Sequence, residues 1–444
     1  MFEFRQLHQH AWLLVATLIF FSQSAQALPA FAQQTGQSCV ACHAGGQFPE
    51  LTPYGRLFKL TAYTNGTPTN PLALMWVGDW TKTTNNNDGN GGVISDKNKQ
   101  PISDFASVFV AGKITENLGG FAQFTYNVAA GHSHSDNTDV RYADLLDTPT
   151  NNLIWGVTLH NNPTVQDVWN TQSAWGYPYI NSSTGAFSGL PYSTISEQQL
   201  QLAGTGVYAY FNKNWYAEFT TYETAKNAFQ ILSLGSKTGD ANYPLTYLRG
   251  LNPYFRLAYT YEWGSQNLMI GFMGLDFKVL PLDASNRPFG HLSTHYRDTS
   301  IDAQYQYLLE PHTFTTSFRY IRERINDEAQ ATAYSGPATL NSSRIKSSYV
   351  YQSRYGVSLA FLSITGSPDL NAYGYGTAIS GSNNGIPNSR MWTPEIFYMP
   401  LQNIRVGIQY NYFSGYNGAS QNYDGFGRNA NANNTTFAYI WGAF

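Results

Sequence analysis

The sequence predicts an all-β protein: an outer-membrane antiparallel β-barrel of about 16 strands, its periplasmic side or lumen plugged by a short N-terminal segment. Three observations lead there. Beyond residue 28 no apolar run reaches the ~20 residues a spanning helix needs, so a membrane form of this chain must be a closed barrel. Many segments alternate apolar and polar residues with a period of two. Tight turns and long polar loops follow one another in strict alternation, which puts all short turns at one end of the strands. A soluble sandwich shares the periodicity but has no reason for that asymmetry of connections.

The strands expected from this pattern are Leu72–Lys82, Asp104–Glu116, Gly120–Ala129, Thr138–Leu146, Asn152–His160, Gln199–Phe211, Trp215–Tyr222 and Pro253–Trp263. They continue as Asn267–Val279, Ser300–Leu309, Thr313–Arg322, Ile345–Tyr351, Tyr355–Ile364, Met391–Met399, Ile404–Phe413 and Thr435–Phe444. In the eighth, Phe255, Leu257, Tyr259, Tyr261 and Trp263 share one face, against Arg256, Thr260 and Glu262. Ile301, Tyr305 and Tyr307 oppose Asp302, Gln304 and Gln306 in the same way, and Ile408, Tyr410 and Tyr412 oppose Arg405, Gln409 and Asn411. In the ninth the apolar set is Met269, Met273, Leu275, Phe277 and Val279, against Asp276 and Lys278, and it is expected on the lipid side. The chain ends in an aromatic stretch closing on Phe444.

Ahead of the barrel, Arg5, the apolar run Ala11–Phe21 and Ala25-Gln26-Ala27 read as a secretory signal peptide cut after Ala27. The run is too short for an anchor. The organisation expected is a signal peptide over 1–27, a cofactor segment over 28–71 and the barrel over 72–444. Charged residues make up 12% of the chain and the net charge is −3, with no basic run, which excludes a nucleic-acid partner.

The chain's two cysteines fall in Cys39-Val40-Ala41-Cys42-His43. Two thiols spaced this way, followed directly by an imidazole, suit one covalently bound haem c: thioether links from Cys39 and Cys42, and His43 as proximal iron ligand. A redox disulfide would want a thioredoxin-like βαβ context, and a structural zinc would want four nearby ligands, whereas the next histidine is His132. Residues 44–71 are too few to enclose a haem alone, so the barrel is expected to complete the pocket.

Leu28-Pro29-Ala30-Phe31-Ala32-Gln33-Gln34-Thr35-Gly36, the cysteine box, Phe48-Pro49-Glu50-Leu51 and Gly55-Arg56-Leu57-Phe58-Lys59-Leu60 resemble the start of fused monohaem cytochrome–porins, best known as outer-membrane iron oxidases. The resemblance implies that Cys39, Cys42 and His43 carry the haem. Arg56 and Lys59, one turn apart if their stretch is helical, become partners for the haem propionates, or else a solvated cationic face. Met75 shares a face with Asp79 and Thr81 and is the first choice for the distal iron ligand, with ordinary packing as the alternative. The stretch from His132 to Asp139 reads as an outer loop able to collect a divalent metal, or as plain turn chemistry.

Three functions stay open at this stage. One is transfer of electrons from an extracellular donor, such as Fe(II), to periplasmic electron-carrier proteins; this is the only form in which an enzyme activity, extracellular iron oxidation, is implied. The second is the same transfer run outward to an external acceptor. The third is a solute porin whose haem is structural or sensory. In all three the barrel's partner is outer-membrane lipid.

Overall fold

The computed structural model describes residues 29–46, 49–89, 91–127, 131–172, 182, 184–185, 190–196, 201–233, 236–240, 244–328 and 337–444, with the side chain of residue 134 also set aside. The expected signal peptide and its cut site, and Phe48 of the cytochrome-like motif, lie outside the described residues.

Sixteen antiparallel strands close into a barrel in which each pairs with its sequence neighbours and the last returns to the first. They are β1 (Leu72–Thr83), β2 (Pro101–Lys113), β3 (Leu118–Asn127), β4 (His132–Asp147), β5 (Asn152–His160), β6 (Leu202–Phe211), β7 (Trp215–Thr224) and β8 (Asn252–Trp263). The second half is β9 (Gln266–Val279), β10 (Thr294–Leu309), β11 (His312–Asp327), β12 (Ala338–Tyr351), β13 (Tyr355–Gly366), β14 (Ser389–Leu401), β15 (Ile404–Gly415) and β16 (Thr435–Ala443). Closure pairs Met75 with Ala443 and Thr83 with Thr435.

Every expected strand is present and in order, though β2 ends at Lys113 and not Glu116, and Val128, Ala129, Gln199 and Leu200 of the expected spans lie outside the described residues. β4, β10, β11 and β12 run further than expected, all at the end away from the tight turns. Their extensions, such as Thr294-His295-Tyr296-Arg297-Asp298, are polar on both faces. The hydrogen-bonded ladder continues there past the apolar band, so the period-two signal fades while the strand does not.

On β14 the alternation is complete: Met391, Thr393, Glu395 and Phe397 are buried while Trp392, Ile396 and Tyr398 are exposed. The exposed set around the barrel, including Val207, Leu257, Ile270, Ile301, Leu359 and Ile408, forms the apolar exterior a bilayer requires. Near the short turns it is bordered by aromatic pairs, Trp215 on Tyr259 at 4.7 Å and Tyr355 on Tyr398 at 5.1 Å. Interfacial aromatics of this kind anchor a barrel at the headgroup level.

β9 departs from the reading above. Met269, Met273, Leu275 and Phe277 are buried inside the barrel, whereas Ile270 and Phe272 face outward. The lumen beside β9 is filled with protein, so its inner face needs apolar packing, and Asp276 and Lys278 belong to the polar outer extension.

Among the described residues two inserts lie in the lumen, and Thr194–Ser196 joins them, donating from Thr194 N to Glu323 and from Ile195 N to Asp298. The first, the plug, carries helices α1 (Pro29–Thr35), α2 (Cys39–Cys42) and α3 (Pro53–Leu60). α3 starts where Thr52 caps it, accepting from Gly55 N at 3.1 Å with Pro53 in the first turn, and it stops at Ala62 and Tyr63, both at positive φ. The second enters from the opposite end as residues 161–172, with α4 (Pro163–Gln166) capped by the Asn162 side chain. It is buried almost throughout, with Trp169 1% exposed.

Candidate cofactor site between plug and wall

Cys39 and Cys42 bracket one turn of helix, so both thiols project from the same small element, and His43 N donates to Cys39 O at 2.8 Å to close it. An antiparallel bridge between His43 and Leu51 goes with Thr52 N donating to Cys42 O at 2.9 Å, and α3 then packs directly over the box. Gly55 makes that approach possible, since a Cβ there would stand 2.1 Å from Cys42 O.

The box opens onto a cavity that offers about 170 Å³ to the centre of a water molecule. Cys39, Cys42 and His43 line it from the plug, with Phe31, Phe58 and Tyr63. The wall completes it with Ala73 and Met75 of β1, Phe109 and Ala111 of β2, Phe121 of β3, and Trp441 and Ala443 of β16. Phe31 stacks on Tyr63 at 5.3 Å and meets Phe58 edge-on at 5.1 Å, giving a rigid aromatic side. Thiols, imidazole and thioether therefore share one largely apolar space, a donor set and lining that suit a haem c. Burial and the neighbouring Cys39 push the Cys42 thiol up to about 11.

Arg56 and Lys59 both lie on α3, and both are buried rather than on a solvated face. Lys59 borders the cavity, but its Nζ donates to the carbonyls of Val165 and Asp167 and stands 3.7 Å from Asp139. Burial lowers it to about 8, against the pull of Asp139. Arg56 is not in the lining. Its guanidinium donates to Leu51 O at 2.9 Å, to Gln306 at 3.2 Å and to Asn267 at 3.1 Å, fastening α3 to β9 and β10. Burial brings it down to about 10, with Tyr210 and Glu262 acting the other way.

The stretch from His132 to Asp139 is the start of β4 and not a loop, because it extends the ladder with β3 beyond the apolar band. Positions 132, 134 and 136 share one face of the strand, and a bulge in the ladder lies between them and Asp139. Asp139 points into the lumen, accepting from Tyr63 Oη at 2.6 Å and Arg141 Nε at 2.9 Å. Among the described residues no cluster of three or more His, Cys, Asp or Glu side chains is placed to hold a metal ion.

The sequence reading missed the inserted segment 161–172. Its signal was there in Asn162-Pro163, an N-cap followed by proline in the first turn. Asn170 donates to Pro49 O of the plug, and Arg256 of β8 holds the segment through Asp167 at 3.3 Å while pairing with Asp302 at 2.7 Å. Plug and segment thus meet inside the barrel.

The closed ring of sixteen strands, the apolar exterior and the polar inner rows decide the class. The chain is a porin-like barrel of the outer-membrane type. No protein-family model matches it, and no curated protein does. Among solved structures it is similar to Salmonella typhi OmpF in complex with daunomycin, at 11% identity and a TM-score of 0.45, covering 84% of this chain and 97% of that one. It is also similar to the anion-selective porin from Comamonas acidovorans, at 11% identity and 0.44, covering 84% and 98%. The outer membrane channel DcaP of Acinetobacter baumannii matches at 9% identity and 0.45, covering 84% and 96%.

Proposed function

We propose that this porin-like barrel holds one haem c between plug and wall and carries electrons between an extracellular donor, such as Fe(II), and periplasmic electron-carrier proteins. One observation carries the reading: Cys39, Cys42, His43 and Met75 line the same apolar cavity, although Met75 comes from the wall, more than thirty residues downstream. A haem bound there supplies one-electron transfer. The two thiols would tether it, the His43 imidazole and the Met75 thioether would supply ligands to its iron, and Phe31, Phe58, Phe109 and Phe121 would keep water from it. Gln402 and Asn403 of the β14–β15 turn lie at the cavity's edge, the end where a periplasmic carrier would approach. Either direction of flow is compatible with this arrangement. The test is intact mass together with the reduced spectrum of the purified protein: one haem added to the chain and a low-spin spectrum support the reading, and a bare polypeptide mass overturns it.

A second reading, a solute porin, is the one the barrel plan by itself favours. The inner rows are polar and charged, for example Asp302, Gln304 and Gln306 on β10 and Arg405, Gln409 and Asn411 on β15, as an aqueous path requires. Solute uptake by proteoliposomes separates the two.

A further inference from the structure

We propose that Tyr216, on the inner face of β7 beyond the cavity, is a proton-coupled redox site with Glu218 as its proton acceptor. Its use as an outlet for oxidising equivalents near the cofactor rests on the haem reading above; the redox chemistry of the pair does not.

Tyr216 is 2% exposed and its Oη donates to Glu218 Oε2 at 3.0 Å. Glu218 is itself 5% exposed, and its Oε1 has no hydrogen-bond partner among the described residues. The two guanidiniums that feel its charge, Arg141 and Arg256, are paired elsewhere, with Asp139 and with Asp167 and Asp302. A proton leaving Tyr216 therefore meets a buried carboxylate that no cation holds in an ion pair.

Tyr222 also meets a buried base, its Oη standing 2.9 Å from His160 Nε2, but a proton passed there leaves a new buried cation, whereas one passed to Glu218 removes a charge. Three further buried tyrosines differ in the cation beside their acceptor or in the acceptor itself. Tyr63 donates to Asp139, but that carboxylate is bound by Arg141 at 2.9 Å and faces Lys59 at 3.7 Å. Tyr439 donates to Glu395, which Arg405 holds at 2.7 Å. Tyr208 donates to a backbone carbonyl, that of Leu60, which cannot take a proton at ordinary pH. Trp169, 5.2 Å from the Tyr216 ring, lies under the Arg256 guanidinium at 5.0 Å, and a positive charge on its ring is opposed there. Tyr208, 6.3 Å from Tyr216, connects the site to the end of α3 and so to the cavity side of the plug.

The step balances as one electron and one proton. Tyr216 gives an electron to a strong one-electron oxidant of the oxygen-radical class, its Oη–H bond breaks, and the proton passes to Glu218 Oε2. A neutral tyrosyl radical and a neutral carboxylic acid remain, and reduction reverses both transfers. No charge is left in the lumen, which favours this route over loss of the electron alone.

The experiment uses the full-length protein in detergent, a photogenerated ruthenium(III) polypyridyl complex as oxidant, and electron paramagnetic resonance with ring-deuterated tyrosine. Exposed girdle tyrosines give short-lived signals; a long-lived tyrosyl signal is expected from Tyr216. Tyr216→Phe, which keeps the ring and its packing, removes that component, whereas Tyr63→Phe retains it. Glu218→Gln slows its formation roughly 100-fold, the scale of a lost proton acceptor. Absence of a long-lived signal in the unaltered protein, or its survival in Tyr216→Phe, overturns the proposal. The Cys39→Ser/Cys42→Ser variant gives the same signal if the site is right, so a failure of haem attachment and a failure of the redox site are read separately.

Discussion

Lys59 on the plug and Asp139 on β4 stand 3.7 Å apart with both side chains buried, and the same carboxylate binds Tyr63 of the plug and Arg141 of its own strand. One wall residue thus offsets two buried cations and receives a phenol. In a protein interior a charge without its partner is expensive, far more than an intact pair is stabilising.

Replacing that one carboxylate should therefore release the plug while leaving the barrel. Asp139→Asn leaves Lys59 and Arg141 without their shared anion, at a cost of about 3–5 kcal/mol. The expected outcome is protease cleavage within residues 44–63 of the variant, with heat-modifiable barrel migration on gels unchanged.

The lysine side of the pair sets a pH dependence. Burial holds Lys59 at about 8, below its ordinary 10.5, so between those pH values the released plug binds a proton that the docked plug does not. Docking stability contributed by Lys59 consequently rises with pH through that window, by at most about 1.4 kcal/mol per pH unit. Relative to Lys59→Met, the unaltered protein should gain plug protection between pH 8 and 10.5. A difference between the two that stays flat with pH would show that Lys59 does not titrate in this range.

Gly55 supplies a steric test of the same interface. A Cβ at this position meets the Cys42 carbonyl carbon at 2.9 Å and its oxygen closer still, and both are backbone atoms that cannot swing away. Gly55→Ala should lift α3 from the cysteine box and cost roughly 1–3 kcal/mol. Its readout is the accessibility of the Cys39 and Cys42 thiols to a maleimide in the haem-free chain, expected to rise.

Haem ligation makes a paired prediction. Cys39→Ala with Cys42→Ala should abolish covalent attachment while the barrel still forms. Met75→Ala should alter the reduced spectrum, because Met75 lines the same cavity as the box. Met391, buried with Leu362 and Phe413 in a separate cluster, serves as the control, and Met391→Ala should leave the spectrum as it was. Identical spectra for all of them would remove Met75 as a ligand.

The barrel was legible in the sequence because its signals are local: side chains alternate along a strand, and turn residues mark the tight ends. Met75 could be placed on the inner face by that same periodicity, through Asp79 and Thr81. Arg56 could not be resolved between propionates and solvent, because its partners Asn267 and Gln306 lie on strands more than two hundred residues away. The inner apolar face of β9 was misread for a related reason. Alternation says which residues share a face, but which face is wet depends on what fills the lumen, and residues 161–172 do that from a distant part of the chain. At β4 the limit is physical as well: beyond the lipid the ladder needs no apolar residues, so strand and loop look alike.

The two inserts decide what can cross the barrel. Plug and segment 161–172 meet through Lys59 with Asp167 and Asn170 with Pro49, so among the described residues the inner space is bridged from both ends. Proteoliposomes carrying the intact protein should then swell no faster in sugar solutions than empty liposomes. Asp139→Asn, by freeing the plug, should raise the swelling rate, since the polar inner rows it exposes are already those of an aqueous path. On the proposed electron-transfer reading, soluble Fe(II) on the long-loop side should nevertheless reduce the haem of the intact protein. Rapid sugar uptake by the intact protein would favour the porin reading. Closed liposomes whose haem stays oxidised under excess Fe(II), at a pH where the measured potentials favour transfer, would leave a sealed barrel that conducts neither.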